Sequence, residues 1–244
     1  MIKMRSTKTS KKAKNFIYAM IPVRLGSQRL KRKNLILLNK KPLITYAIKA
    51  AVKSKIFKNI YINSADNVFR KFAIKNKVNF YKRNKKLGTS NTKSDEIVYD
   101  FFKNFPKVKT LAWVNTTTPF QTGEDIKKMF NFYVKHKYKT LITVKNLQAH
   151  VNYNNKPLNY SKNTKFARTQ DLIPVQTLIY SLMIWDRFTF LKSYKKNKSG
   201  MLSGKICLYS LPGFKTLMIK TADDFYYANY IMQNLKLKKR KNTK

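Results

Sequence analysis

An apolar run, Phe16 to Met20, breaks into Ile21-Pro-Val-Arg-Leu-Gly-Ser-Gln-Arg-Leu-Lys-Arg-Lys-Asn34 and returns to Pro42-Leu-Ile-Thr-Tyr-Ala-Ile-Lys-Ala-Ala51. The run predicts a buried strand, and the helical spacing of Leu43, Ile44, Ala47, Ile48, Ala51 and Val52 predicts a helix. Between them lies a loop with Gly26, Ser27 and the cations Arg24, Arg29, Lys31 and Lys33. Such a strand–loop–helix suits a polyphosphate, because backbone N–H groups and small side chains let the anion approach while the cations neutralise it. The G-x-x-x-x-G-K-[ST] spacing of a Walker loop is absent. Local physics leaves a basic surface loop open as the other reading.

The same alternation continues along the chain. Ile60–Ile62, Val78–Tyr81, Thr110–Val114, Leu141–Val144 and Val175–Trp185 read as strands. Val68, Phe69, Phe72 and Ala73 mark one helix, and Ile97, Val98, Phe101 and Phe102 mark another that begins near Ser94-Asp95. Thr122-Gly-Glu-Asp125 has the form of a capping box opening a helix to His136, and Thr221-Ala-Asp-Asp224 caps a last helix to Leu235. Lys192–Gly204 reads as a loop. Strands separated by helices predict βαβ units, a mainly parallel sheet and three layers. Ligand sites in such sheets lie beyond the carboxyl ends of the strands, which here means the loops after Met20, Ile62, Tyr81 and Val114.

Residues 1–14 and 237–244 read as basic tails around one domain over 15–236. Fifty-three Lys and Arg against 10 Asp and Glu give a net charge of +43, which by itself suggests nucleic acid, a membrane surface or an anionic small molecule. The cations are spread through every segment, Asn is abundant and Gly numbers 6, a pattern that also fits codon bias. A nucleic-acid binder would carry aromatic single-strand platforms or a reading helix, and neither is visible. One cysteine, Cys207, excludes an internal disulfide, and His136 and His150 with a lone Cys do not make a metal site. No apolar run approaches the about 20 residues of a membrane span. The short apolar stretch after the basic N-terminus runs into Pro22 and Arg24, against a signal peptide, so a cytoplasmic location is expected.

The Ile21–Asn34 segment resembles the nucleotide-binding loop of the acylneuraminate cytidylyltransferases, which activate sialic acid and related acids with CTP. Their pattern is I-P-A-R-x-x-S-x-R-L-x-x-K-N followed by K-P-L-I. Ile21-Pro22, Arg24, Ser27, Arg29-Leu30, Lys33-Asn34 and Lys41–Ile44 fall on it, with Val23 in place of Ala. The resemblance covers Phe16 to Met232. It implies a Rossmann-like nucleotidyltransferase fold, CTP and an acidic nine-carbon or Kdo-like sugar as substrates, release of pyrophosphate, and a homodimer. Polar Asn146–Asp171 would then be a protruding arm that exchanges contacts between subunits.

By the match, Arg24, Leu25, Gly26, Ser27, Lys33 and Asn34 bind the triphosphate, with Arg24 and Lys33 catalytic; Arg29 itself reads as a solvated charge. Phe80-Tyr-Lys-Arg-Asn84 is similar to the family's F-x-R-P segment, which carries Arg83 over to the nucleotide. Trp113-Val-Asn-Thr-Thr-Thr-Pro-Phe-Gln-Thr122 corresponds to L-Q-P-T-S-P-L-R-T. It places Asn115, Thr117 and Gln121 at the sugar, with Asn115 replacing a Gln and Gln121 an Arg. Arg168-Thr-Gln170 resembles the arm's R-x-Q, whose guanidinium meets the sugar carboxylate. The family's Asn-Gly before the next strand is replaced by Ile179-Tyr180.

The family's D-I-D, which holds Mg²⁺, becomes Met218-Ile-Lys220, although the following Thr221-Ala-Asp-Asp-Phe225 keeps the register. Mg²⁺ is thus expected from the resemblance and its two ligands are missing. Asp95, Glu96, Asp223 and Asp224 read as helix N-terminal charges. An ammonium at Lys220 in the place of the metal is a candidate catalytic group. The alternative is a family member that binds nucleotide or nucleotide sugar without efficient turnover.

Overall fold

The computed structural model describes residues 17–241, with side chains described through Leu235. The expected tail over 1–14 lies outside these residues. The chain runs β1 (Ile17–Pro22), β2 (Leu37–Leu38), β3 (Lys41–Pro42), α1 (Ile44–Ser54), β4 (Asn59–Ser64), α2 (Arg70–Lys75), β5 (Asn79–Lys82), α3 (Ser94–Asn104), β6 (Thr110–Val114), α4 (Gly123–Lys135) and β7 (Thr140–Leu147). It continues with β8 (Asn152–Tyr153), β9 (Lys156–Pro157), β10 (Val175–Asp186), α5 (Arg187–Asn197), β11 (Ile206–Ser210) and α6 (Ala222–Lys241). Seven strands form one sheet in the order β11-β7-β10-β6-β1-β4-β5. β10 pairs antiparallel with both β6 and β7, and every other pairing in this sheet is parallel.

Alternation along β1 divides the core. Ile17, Ala19 and Ile21 face a cluster built with Ala47 and Ile48 of α1, Phe72 of α2, and Met129 and Phe130 of α4. Met20 points the other way, to Val98 and Phe102 of α3 and Phe190 of α5. The result is the three-layer α/β fold the alternation predicts. α1 packs on α4 closely enough that only glycine fits at 123, where a Cβ would stand 2.6 Å from the Ser54 nitrogen and 2.7 Å from the Lys53 carbonyl carbon. Gly123→Ala should therefore cost about 1–3 kcal/mol by overpacking against backbone. A urea midpoint equal to that of the parent would contradict this.

The structure corrects several expectations. Lys192–Gly204 is not all loop, because α5 covers its first half. The Asp186 carboxylate accepts from the Thr189 backbone N–H at 3.0 Å and caps this helix, which buries Phe190. β11 is a further strand beyond those the sequence pattern marks, and α6 extends beyond Leu235 to Lys241. The capping box at Thr122 is present, with Asp125 accepting from the Thr122 N–H at 2.9 Å and Thr122 Oγ1 accepting from the Asp125 N–H at 3.2 Å. Residues 148–174 are irregular except for the β8–β9 hairpin and one 3₁₀ turn. They expose Leu158, Phe166 and Ile173, the last at 80%. No described helix is long and apolar enough to cross a membrane.

Candidate nucleotide site

β1 has β4 on one side and β6 on the other, so the chain leaves the middle of the sheet in both directions and a crevice opens beyond the strand ends. A cleft of about 300 Å³ lies there, walled by the loop after β1, the loop after β5 and the loop after β6. Arg24, Ser27, Lys33, Asn34, Arg83, Asn115 and Thr117 all line it, so the structure assembles most of the residues expected from sequence. Arg29 lines it as well, exposed at the mouth.

The loop after β1 is held from two sides. The Asp66 carboxylate, at the end of β4, accepts from the Leu25 N–H at 2.9 Å, so this amide is already used. Asn34 is 5% exposed. Its amide nitrogen donates to the Arg24 carbonyl at 3.0 Å, and its oxygen accepts from the Thr116 hydroxyl at 2.7 Å. Asn34 thus ties the β1 loop to the β6 loop, and that work occupies both ends of its amide. Asp66 and Thr116 are the supports that sequence reasoning missed. Asp66 ends a strand at the ligand-bearing edge, which was a usable signal, whereas Thr116 gave none. Gly26 is exposed, and a Cβ there would meet nothing within 4 Å, which leaves room for a ligand.

Charge in the cleft is unbalanced. Burial pushes the Lys33 pKa down, Arg29, Arg24 and Lys220 push it the same way, and Asp224 opposes them. Arg83 is 2% exposed. One terminal nitrogen, Nη2, donates to the Val23 carbonyl at 3.2 Å, while Nε and Nη1 are buried without a partner. Burial pushes its pKa down to about 10, with the Asp100 and Asp66 carboxylates opposing and Arg24 adding to the fall. It stays a cation at neutral pH. Desolvated cations with donors unmet are what an anion relieves.

Lys220 does not line the cleft. It is exposed beside it, because the Ile219 N–H donates to the Thr117 carbonyl at 2.8 Å and draws the segment onto the wall. Asp224 accepts from the N–H groups of Lys220 at 2.8 Å and Thr221 at 2.9 Å and, with Thr221 as the cap, closes a capping box at the start of α6. Asp95 accepts from the N–H of Gly200 at 2.6 Å, holding the loop after α5 rather than serving only its own helix. Gln121 is buried with neither amide atom partnered and does not line the cleft. Arg168 and Gln170 lie on the arm, exposed and away from the cleft, with Arg168 paired to Asp171 at 2.8 Å.

Mg²⁺ takes oxygen ligands, mainly carboxylates and phosphates. The Met218 thioether is half-buried against the core and Lys220 is an ammonium, so neither is a ligand for it. Among the described residues no three His, Cys, Asp or Glu side chains converge, and no carboxylate lines the cleft. The residues present do not fit a protein-held Mg²⁺ ion.

A second cavity of about 490 Å³ adjoins the first and shares Thr92, Trp113 and Asn115 with it. Its other walls are largely apolar, with Ile142, Leu178, Met183, Met201 and Leu202, and also include Lys93, Ser94 and Asp95. Tyr180 also lines it. The β10–β7 register breaks between Leu178 and Met183, and Tyr180 in that bulge has φ +53°, a conformation usually left to glycine. A tyrosine thus holds a left-handed backbone in the bulge. The next carbonyl, of Ser181, accepts from the Asn115 N–H at 3.0 Å, so the bulge positions the shared wall.

The chain has counterparts among known proteins. The family model described as cytidylyltransferase matches residues 18–182. An N-acylneuraminate cytidylyltransferase of Streptococcus agalactiae is 22% identical over 216 residues, covering 85% of this chain and 51% of that protein. A pseudaminic acid cytidylyltransferase of Campylobacter jejuni is 25% identical over 164 residues, 63% of this chain and 71% of its own. The chain spans about half the length of the streptococcal relatives it matches. Among solved structures, a CMP:2-keto-3-deoxy-manno-octonic acid synthetase complexed with CTP superposes with a TM-score of 0.67 at 11% identity, over 90% of this chain and 99% of that one. A 4-diphosphocytidyl-2C-methyl-D-erythritol synthase from Anaerococcus prevotii gives 0.65 at 15% identity, over 90% of this chain and 99% of that one. These two show the shared fold. With a family match over most of the sheet and the matching loop on its switch point, the chain belongs to the cytidylyltransferase family.

Proposed function

We propose that the chain joins CMP from CTP to an acidic sugar of the sialic-acid, pseudaminic-acid or Kdo type and releases pyrophosphate. The observation that carries this reading is the carboxylate-free cationic cleft adjoining a largely apolar cavity through Trp113 and Asn115. The names of the relatives, an N-acylneuraminate and a pseudaminic acid cytidylyltransferase, support the sugar class. In the reaction a sugar hydroxyl oxygen bonds to the α-phosphorus, and the bond from that phosphorus to the bridging oxygen breaks. Pyrophosphate leaves with the electron pair, and the hydroxyl proton passes to solvent. Such a step asks the protein for alignment and for stabilisation of charge on phosphate oxygens.

Arg24, Ser27, Lys33 and Arg83 hold the triphosphate in this reading, and Asn34 keeps their loops in register. Lys220 lies close enough to Lys33 to add charge at the mouth. Asn115 and Thr117 face the sugar, and Tyr180 with the apolar wall receives its deoxy carbons or acyl methyls. Gln121, shut away from the cleft, supports the wall rather than the sugar. Arg168 and Gln170 reach a site only on a second copy of the chain. The exposed Leu158, Phe166 and Ile173 of the arm favour that copy as its occupant.

Pyrophosphate release tests the reading, with CTP or another nucleoside triphosphate and N-acylneuraminic, pseudaminic or Kdo acid. The expected result is release with CTP and at least one acid, and none with ATP or GTP. CTP binding without release from any acid would favour the binding-only alternative, and neither binding nor release would refute both. Sedimentation supplies a second check: the chain should run as a dimer, and a variant with residues 148–174 replaced by a short Gly/Ser linker as a monomer. A monomeric parent at micromolar concentration would remove the role given to Arg168.

A further inference from the structure

We propose that the cleft takes the triphosphate as the metal-free anion, with fixed side-chain cations standing where a divalent ion would otherwise neutralise it. This rests on the reading of the cleft as a CTP site. The first support is the lining itself, in which Arg24, Arg29, Lys33 and Arg83 meet no Asp or Glu. The carboxylates around it are committed elsewhere: Asp66 to the Leu25 N–H, Asp224 to the capping box of α6, and Asp100 to the Tyr81 hydroxyl. Each already accepts at least one hydrogen bond from the protein.

The second support is Arg83, whose Nε and Nη1 are buried in the cleft wall with no acceptor. A guanidinium presents donors in a planar fork that phosphate oxygens match. The third is the segment 218–220, drawn against Thr117 by the Ile219 N–H, where a thioether and an ammonium offer Mg²⁺ nothing. A Mg²⁺ ion carried in on the nucleotide would cancel charge that these side chains are placed to meet, and would add a dication to a group of like charges. The metal should therefore compete with the site rather than complete it.

Titration calorimetry of the full chain with CTP separates the outcomes, once in EDTA and once in saturating Mg²⁺ at fixed ionic strength. The expected affinity in EDTA is equal to or higher than that in Mg²⁺. Tighter binding in Mg²⁺ would overturn the proposal while leaving the CTP site intact, and no binding in either buffer would overturn both. Lys220→Asp gives an independent arm, since the side chain is exposed and its replacement leaves the core untouched. This variant should bind CTP roughly threefold or more weakly in EDTA, because a charge beside the cleft changes sign. It should regain part of that affinity on adding Mg²⁺. Parent-like binding by Lys220→Asp in EDTA would count against the cationic substitution.

Discussion

Arg83→Met should weaken CTP binding about a hundredfold while leaving the folded chain as stable as the parent to within about 1 kcal/mol. The first effect follows from the two donors of Arg83 that lack any acceptor in the free protein. Each charge-assisted bond to a phosphate oxygen is worth about 1.5–3 kcal/mol. Losing two of them gives at least about 3 kcal/mol, or two decades in affinity. The second effect follows because the free protein gains little from this cation. Arg83 makes one bond, to the Val23 carbonyl, and carries the cost of a desolvated charge. Methionine keeps much of the volume and removes that charge. Calorimetry and urea denaturation read the two effects separately. If both affinity and stability fell together, Arg83 would be a structural residue; if neither moved, the nucleotide would bind elsewhere.

The opposite split is expected at Trp185. Its indole is fully buried between the sheet and α5, packs edge-on to Phe190 with centroids 6.1 Å apart, and donates from Nε1 to the Met201 carbonyl at 3.0 Å. Trp185→Ala should cost about 3–5 kcal/mol, combining lost transfer energy with a cavity. A fall of that size should appear as a large drop in the urea midpoint with an unchanged slope. Met201 lines the apolar cavity, so the sugar should bind more weakly in this variant while CTP binding in the cationic cleft changes less. An unchanged midpoint would mean that the Trp185 indole is not packed between the sheet and α5.

The loop after β1 was legible because its residues have local reasons to be there: an apolar strand, a break, small residues, cations, then a helix. The caps at Thr122 and Thr221 were legible for the same reason, as each is closed within four residues. α5 was not. It buries only Phe190 and exposes Phe188, so its apolar period is faint against the lysines around it. The one local clue was Asp186 three residues before Thr189, a cap that reading for periodicity passes over. β11 was hidden because an edge strand buries one face weakly: Cys207 is covered while Ile206 and Leu208 are exposed.

Long-range relations were illegible for a different reason. That Arg83 ends buried with two idle donors depends on β5 pairing with β4 and on Val23 lying beyond them. That Asn34 spends its amide on Thr116 depends on a partner 82 residues away in sequence. Tyr180 shows a case where residue and geometry part company, since the tyrosine hides a glycine-like backbone from any reading of side-chain type.

A crystal structure of the chain with CTP would show whether the cleft beyond β1 and β6 is the nucleotide site. Phosphate oxygens are expected within hydrogen-bonding distance of Arg83 Nε and Nη1, with Arg24 and Lys33 on the same phosphates and the Asn34–Thr116 bond unbroken. CTP seated outside this cleft, or inside it with the Arg83 donors still unmet, would contradict this assignment.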